Sequence, residues 1–140
     1  MKKIIRLMLM TVLSVCLTSC SKNEVNLGTF DYPLEDLFGT WKVTMIHVEG
    51  SAKWIVVDDY PEYSMSITFN SDGTYRGEGY LGNGSGTYSL HGKTITTYVD
   101  GKVYLTYTVK DFSSTSANVI ISSGGENIEL HVYKKGSYKL

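Results

Sequence analysis

Cysteine, proline and surplus positive charge are all scarce in this 140-residue chain. Two cysteines, Cys16 and Cys20, are too few for a disulfide-framework protein. A formal charge of -1 removes the electrostatic drive that nucleic-acid binders rely on, so no nucleic-acid partner is expected. The sequence has no Gly-x-Ser-x-Gly elbow, phosphate loop or dinucleotide fingerprint, so it shows no motif for a cofactor or a nucleophile and is read as a non-enzyme. Its three histidines, His47, His91 and His131, follow no metal-ligand spacing. Asp58, Asp59 and Glu62 cluster oxygens as a calcium site does, but adjacent loop acids are normally just solvated, and no metal is assigned. Present in excess are 11 tyrosines and 14 glycines, with frequent threonine and valine. That mixture favours pleated, half-buried strands joined by tight turns.

The first nineteen residues read as an export address. Lys2, Lys3 and Arg6 precede a mainly apolar stretch to Leu17 that carries no charge and is too short for a stable membrane span. It ends in Leu17-Thr18-Ser19-Cys20. This arrangement resembles the bacterial lipoprotein signal, which implies cleavage before Cys20 and acylation of that residue. The handle would then be lipid alone, since acyl chains anchor through buried methylenes. Processing leaves 121 residues with no free thiol and ten cations against fourteen acids, a formal charge near -4. Ser21, in place of the aspartate of the familiar retention rule, implies the outer membrane. Residues 20–31 are polar and aperiodic and are expected to be the lipidated cysteine and a flexible tether. Residues 32–140 are expected to form the domain.

Turn signals then recur at short, regular intervals, as in all-β chains. They delimit eight expected strands, at 41–48, 65–69, 74–80, 85–90, 94–99, 103–109, 116–122 and 126–133. Asp100-Gly101 is the strongest two-residue hairpin signal. Met65, Ile67 and Phe69 oppose Ser66 and Thr68, and Ile128, Leu130 and Val132 oppose Glu129, His131 and Tyr133. Each strand thus has one dry face. No helix is long enough to cover such a meander, so closure into an eight-stranded antiparallel up-and-down barrel is expected. The strands are shorter than a bilayer requires, and Lys42, Arg76, Glu78 and Glu129 would face lipid, which argues against a membrane-spanning barrel.

Gly39-Thr40-Trp41 opens the first expected strand after the amphipathic segment Tyr32 to Phe38. With Phe69-Asn70-Ser71-Asp72-Gly73-Thr74-Tyr75 and Gly86-Thr87-Tyr88-Ser89-Leu90, it resembles the small lipocalin-like, calycin-type lipoproteins of Gram-negative bacteria over about residues 34 to 134. The resemblance implies a short N-terminal 3₁₀ or helical plug, with Gly39 and Trp41 as structural residues beneath the core. The chain departs from the pattern in lacking a long post-barrel helix. It also lacks the arginine that packs on the tryptophan, for which Lys134 or Lys135 is the available substitute.

Function turns on whether the barrel is hollow. Parity places Trp41, Val43, Met45, His47, Met65, Ile67, Phe69, Tyr75, Tyr88, Leu90, Val103, Leu105, Tyr107 and Leu130 among the inward residues. Gly77, Gly79 and Gly86 share that parity and either subtract volume or serve bends. Alternate loops share one end, so a mouth is expected from Gly50–Tyr63, Tyr80–Gly84, Asp100–Lys102 and Ser122–Glu126. A small hydrophobic ligand would be met by Trp54, Ile55, Val56, Tyr60 and Tyr63 from the long loop. Met65, Tyr88, Leu105, Tyr107 and Leu130 would meet it from the barrel. The alternative is a filled barrel whose long loop engages a protein partner, as small calycin-type protease inhibitors do. A cavity of about 300 Å³ or more is the expected mark of the first reading.

Overall fold

The structure, a computed structural model, describes residues 26–80, 82–123 and 125–135. The expected leader and Cys20 lie outside them. In chain order the elements are β1 (Gly28–Phe30), the single helical turn α1 (Leu34–Leu37), β2 (Gly39–Val48) and β3 (Ile55–Val56). Two 3₁₀ turns follow, Val57–Asp59 and Pro61–Tyr63, and then β4 (Met65–Phe69), β5 (Thr74–Gly79) and β6 (Gly84–Gly92). The chain ends in β7 (Thr94–Val99), β8 (Lys102–Phe112), β9 (Ser116–Ser123) and β10 (Glu126–Lys134).

The long strands form a closed antiparallel barrel in the order β2-β4-β5-β6-β7-β8-β9-β10, and β10 returns to pair with β2. These are the eight expected strands in the expected meander. Turn chemistry accounts for the tight corners. At Asp100 and Gly101 φ is 54° and 80°, the doubly left-handed pattern of a hairpin turn whose twist matches its strands. At the opposite end, Asp72 Oδ1 accepts from the Thr74 amide at 3.0 Å and from its hydroxyl at 2.6 Å, closing the Asn70–Thr74 corner. The Thr74 hydrogen bonds hold the Asp72 carboxyl below the usual carboxylate range.

Two short strands extend this plan. β4 pairs with β2 only along Gly39–Lys42, and β3 takes the free edge above it at Met45 and Ile46. β5 pairs with β6 only as far as Thr87, and β1 runs parallel to β6 from Leu90 to Gly92. Each covers backbone donors and acceptors that a short neighbour leaves open. β1 corrects the expected tether. The Leu27 side chain is buried and its carbonyl accepts from the Leu90 amide at 2.7 Å, so ordered structure begins before residue 32. Leu27 and Phe30 are isolated apolar residues in a polar stretch, too few to show a period.

Local register changes explain the residues whose inward assignment fails. Between β2 and β10, Val43 faces Val132 but Met45 faces His131, leaving Thr44 as an extra residue. Its hydroxyl donates to the His131 carbonyl at 3.1 Å. Beyond this bulge the parity inverts. Ile46 is buried and Val48 lines the interior, whereas Met45 and His47, expected inside, turn outward. Between β7 and β8, Thr97 faces Leu105 and Tyr98 faces Val103, so Tyr104 is an extra residue in the register. Val103, also expected inside, is 61% exposed. The fully buried Thr97 hydroxyl donates to the Leu105 carbonyl at 3.1 Å and accepts from its amide at 3.2 Å. Both demands of the buried hydroxyl are therefore met within the sheet.

One end of the barrel is plugged. The Trp41 indole is 3% exposed and donates from Nε1 to the Leu37 carbonyl at 2.8 Å. Phe112 lies 5.7 Å from it, and Phe30 and Tyr32 pack on Phe112 at 5.6 and 5.0 Å. Lys134 supplies the cover expected of a cation here. Its Nζ lies 5.5 Å from the Trp41 ring centre and donates to the Asp36 carbonyl at 2.7 Å. Gly39 makes room for it: a Cβ there would sit 2.9 Å from Lys134 Cε, and φ is +127°.

Candidate functional site

The barrel is hollow above this plug. A cavity of about 180 Å³ lies among side chains from seven of the eight barrel strands. Trp41 and Val43 come from β2, Met65, Ile67 and Phe69 from β4, and Tyr75 from β5. Ile95 and Val99 come from β7, Leu105, Tyr107 and Val109 from β8, Val119 from β9, and Leu130 and Val132 from β10. β6 contributes only Gly84. Leu37 of α1 reaches it from the plugged end, while Gly82, Asn83, Glu78 and Tyr104 mark the opposite side.

The glycines divide between the two roles expected of them. A Cβ at Gly77 would have no neighbour nearer than 3.8 Å, so this position does leave volume. One at Gly86 would lie 1.8 Å from the Tyr98 carbonyl, and one at Gly79 2.1 Å from the Ser64 carbonyl. Those two glycines serve close backbone approach rather than space.

A second cavity, of about 150 Å³, lies under the long loop. Ile46, Val48, Ile121, Ile128 and Leu130 of β2, β9 and β10 wall it, together with Ile55, Tyr63, Met65 and Tyr80. Tyr63 and Tyr80 meet edge to face at 4.9 Å above it. Neither cavity alone reaches 300 Å³.

The expected ligand-facing residues therefore separate into three groups. Met65, Leu105, Tyr107 and Leu130 line the main cavity, and Ile55 and Tyr63 line the upper one. Trp54, Val56 and Tyr60 lie on the outside, 39%, 40% and 49% exposed. Trp54 stacks on His47 at 4.9 Å, and His47 Nε2 lies 2.8 Å from the Ser51 carbonyl. The bulge at Thr44 causes this, because it turns His47 outward and gives Trp54 a flat partner there. Tyr88 belongs to neither cavity. It is buried near the plugged end, edge to face with Phe69 at 4.8 Å, and donates its hydroxyl to the Asn70 carbonyl at 2.8 Å.

The lining is almost wholly apolar. Burial raises the Tyr107 hydroxyl well above the ordinary phenol range, and the neighbouring Tyr75 and Tyr104 add to the effect. Tyr75 is raised by burial, partly offset by a hydrogen bond with Thr97. Among the described residues, Glu78 is the one charged residue along the main cavity, and it pairs with Arg76 at 3.1 Å on the outer surface. Among the described residues no group of three His, Cys, Asp or Glu is placed to hold a metal ion. The cavity can hold an uncharged molecule by contact and offers few groups with which to transform one.

Sequence reasoning missed Ile46, Val48, Tyr80 and Tyr104 as lining residues. For Ile46 and Val48 a signal exists: the apolar phase set by Trp41 and Val43 slips by one after Thr44. For Tyr80 and Tyr104, loop and bulge positions carry no period to read.

Comparison with known proteins agrees with this architecture. Residues 37–119 match the family model described as a lipocalin-like domain. No curated protein matches the chain. Similar solved structures include the tryptamine complex of the amine binding protein of Rhodnius prolixus, 12% identical, covering 83% of this chain and 72% of that one with a TM-score of 0.44. Another is a biogenic amine-binding protein, as its selenomethionine derivative, 13% identical, covering 84% and 73% with a TM-score of 0.41.

Proposed function

The chain belongs to the lipocalin-like domain family, and from that premise we propose that its barrel binds one small, uncharged, apolar molecule without transforming it. The apolar cavity of about 180 Å³ on the barrel axis carries this reading. An apolar cavity of ~150 Å³ suffices to hold benzene, whereas drug-sized ligands need ~300–1,000 Å³. The occupant is accordingly a single ring or a short chain rather than a pigment or a whole lipid. With no cation along the cavity among the described residues and Glu78 beside it, carboxylates are disfavoured. The open volume on the barrel axis supports this reading over that of a filled barrel engaging a protein partner through its long loop. As part of the same proposal, Leu17-Thr18-Ser19-Cys20 supports lipidation at Cys20, and Ser21 after it supports the outer membrane.

Trp41 lines the cavity and Trp54 does not, and the chain has two tryptophans, so Trp54→Phe leaves one reporter inside the site. Titrating that variant with toluene should change Trp41 emission saturably. Native mass spectrometry of the detergent-extracted protein should show a small bound mass. No saturable response to any single-ring compound, together with an unliganded mass, overturns the reading. Separately, Cys20→Ser should move the protein to the soluble fraction, and persistent membrane association refutes the anchor.

A further inference from the structure

We propose that Met65 is a movable partition between the two cavities and sets the length of molecule that the barrel accepts; the inference rests on the binding reading above. Met65 and Leu130 are the two residues common to both cavity walls. They therefore stand between a deeper chamber of about 180 Å³ and an upper one of about 150 Å³ beneath the long loop.

The two differ in freedom. Leu130 is 2% and Met65 6% exposed, but Leu130 is branched and sits mid-strand, paired with Ile46 on one side and Val119 on the other. Met65 opens β4 directly after a 3₁₀ turn. Its backbone is pinned: Gly79 presses on it so closely that a Cβ there would lie 2.6 Å from Met65 Cα, and the Tyr80 amide donates to the Ser64 carbonyl at 2.9 Å. Its side chain, by contrast, is unbranched, with three rotatable bonds and open space on both sides. Movement there joins the chambers without moving the sheet. In the closed position the deep chamber takes a single ring. In the open position a ring can lie deep while a chain of several carbons runs upward past Met65 toward Ile46 and Tyr63.

The test uses the full chain in detergent, with Trp54→Phe as background, titrated with alkylbenzenes from toluene to n-hexylbenzene. Met65→Ala should remove the partition, moving the tightest-bound member to a longer chain and improving hexylbenzene relative to toluene at least tenfold. Met65→Ile, with its stiff branched side chain, should hold the partition shut and move the cut-off to a shorter chain. In the unsubstituted protein labelled at methionine methyls, the Met65 signal should shift with hexylbenzene while that of Met45, which lies outside, stays in place. If the length profile is the same in all three proteins while binding persists, the partition is refuted and the binding reading stands. If no alkylbenzene binds any of them, the binding reading itself fails and the partition falls with it.

Discussion

The two ends of this barrel are built from similar residue types with opposite results. At the plugged end, Phe30, Tyr32, Trp41 and Phe112 meet ring against ring under a lysine cover, with Phe69 and Tyr88 packed on each other nearby. At the mouth, Trp54, Val56, Tyr60, Tyr80, Val103 and Tyr104 are exposed, and these are the exposed large hydrophobic residues among those described. The plugged end concentrates buried contacts, which stabilise the fold. The mouth forgoes some of them and keeps its cavities. Apolar composition alone therefore does not locate a site. The inward phase slips toward both ends, at Thr44 and Tyr104 toward the mouth and at Lys110, just before Phe112, toward the plug, so what distinguishes the ends is whether the apolar rings meet one another or face outward.

Substitutions at the two ends should differ accordingly. Trp41→Ala should have the largest effect, about 3–5 kcal/mol by denaturant unfolding, since it opens a hole over the plug. A loss near zero would show that the plug does not stabilise the barrel. Gly86→Ala should cost about 1–3 kcal/mol through its clash with the Tyr98 carbonyl, whereas Gly84→Ala, with nothing within 4 Å, should cost under about 0.5 kcal/mol. Equal losses at the two glycines would mean that space is not what separates them. Alkali should act on the interior tyrosines. Burial, with Asp72 adding a smaller effect, raises the Tyr88 hydroxyl to about 12, above its ordinary value near 10. The unfolded chain therefore loses that proton first, so the Tyr88 contribution is unchanged below pH 10 and falls as pH rises from 10 to 12. Tyr107→Phe should lessen the alkaline loss, as read by unfolding midpoints against pH. Trp54→Ala should have the smallest effect, within about 0.5 kcal/mol, because its ring lies outside. A larger loss would make the His47 stack part of the fold.

The barrel was legible in the sequence because hairpin turns and period-two alternation are local, and eight such units with no covering helix leave closure as the economical solution. A lysine cover was legible because the Gly-x-Trp resemblance asks for a cation over Trp41, but the sequence left Lys134 and Lys135 open and the structure takes Lys134. The site was legible only in part. Met65, Leu105, Tyr107 and Leu130 keep phase with their strands, so parity places them correctly. Met45, His47 and Val103 do not, because one extra residue at Thr44 or Tyr104 turns over the side chains on its mouth side, and a bulge of one residue leaves little trace in composition. Tyr88 keeps its phase, but its ring packs on Phe69 and its hydroxyl turns to the Asn70 carbonyl, so it lines neither cavity. Phase gives the side of the sheet and not the height along the barrel.

The pairing of β1 with the lower part of β6 bears on orientation. Only six residue steps separate Cys20 from Asn26, a reach of ~20 Å at full extension. With the anchor proposed at Cys20, the leash is about half as long as the polar stretch suggests, and it leaves the wall near the plug. On that proposal the plugged end is the one tied to the anchor, and the opening lies at the far end of the barrel.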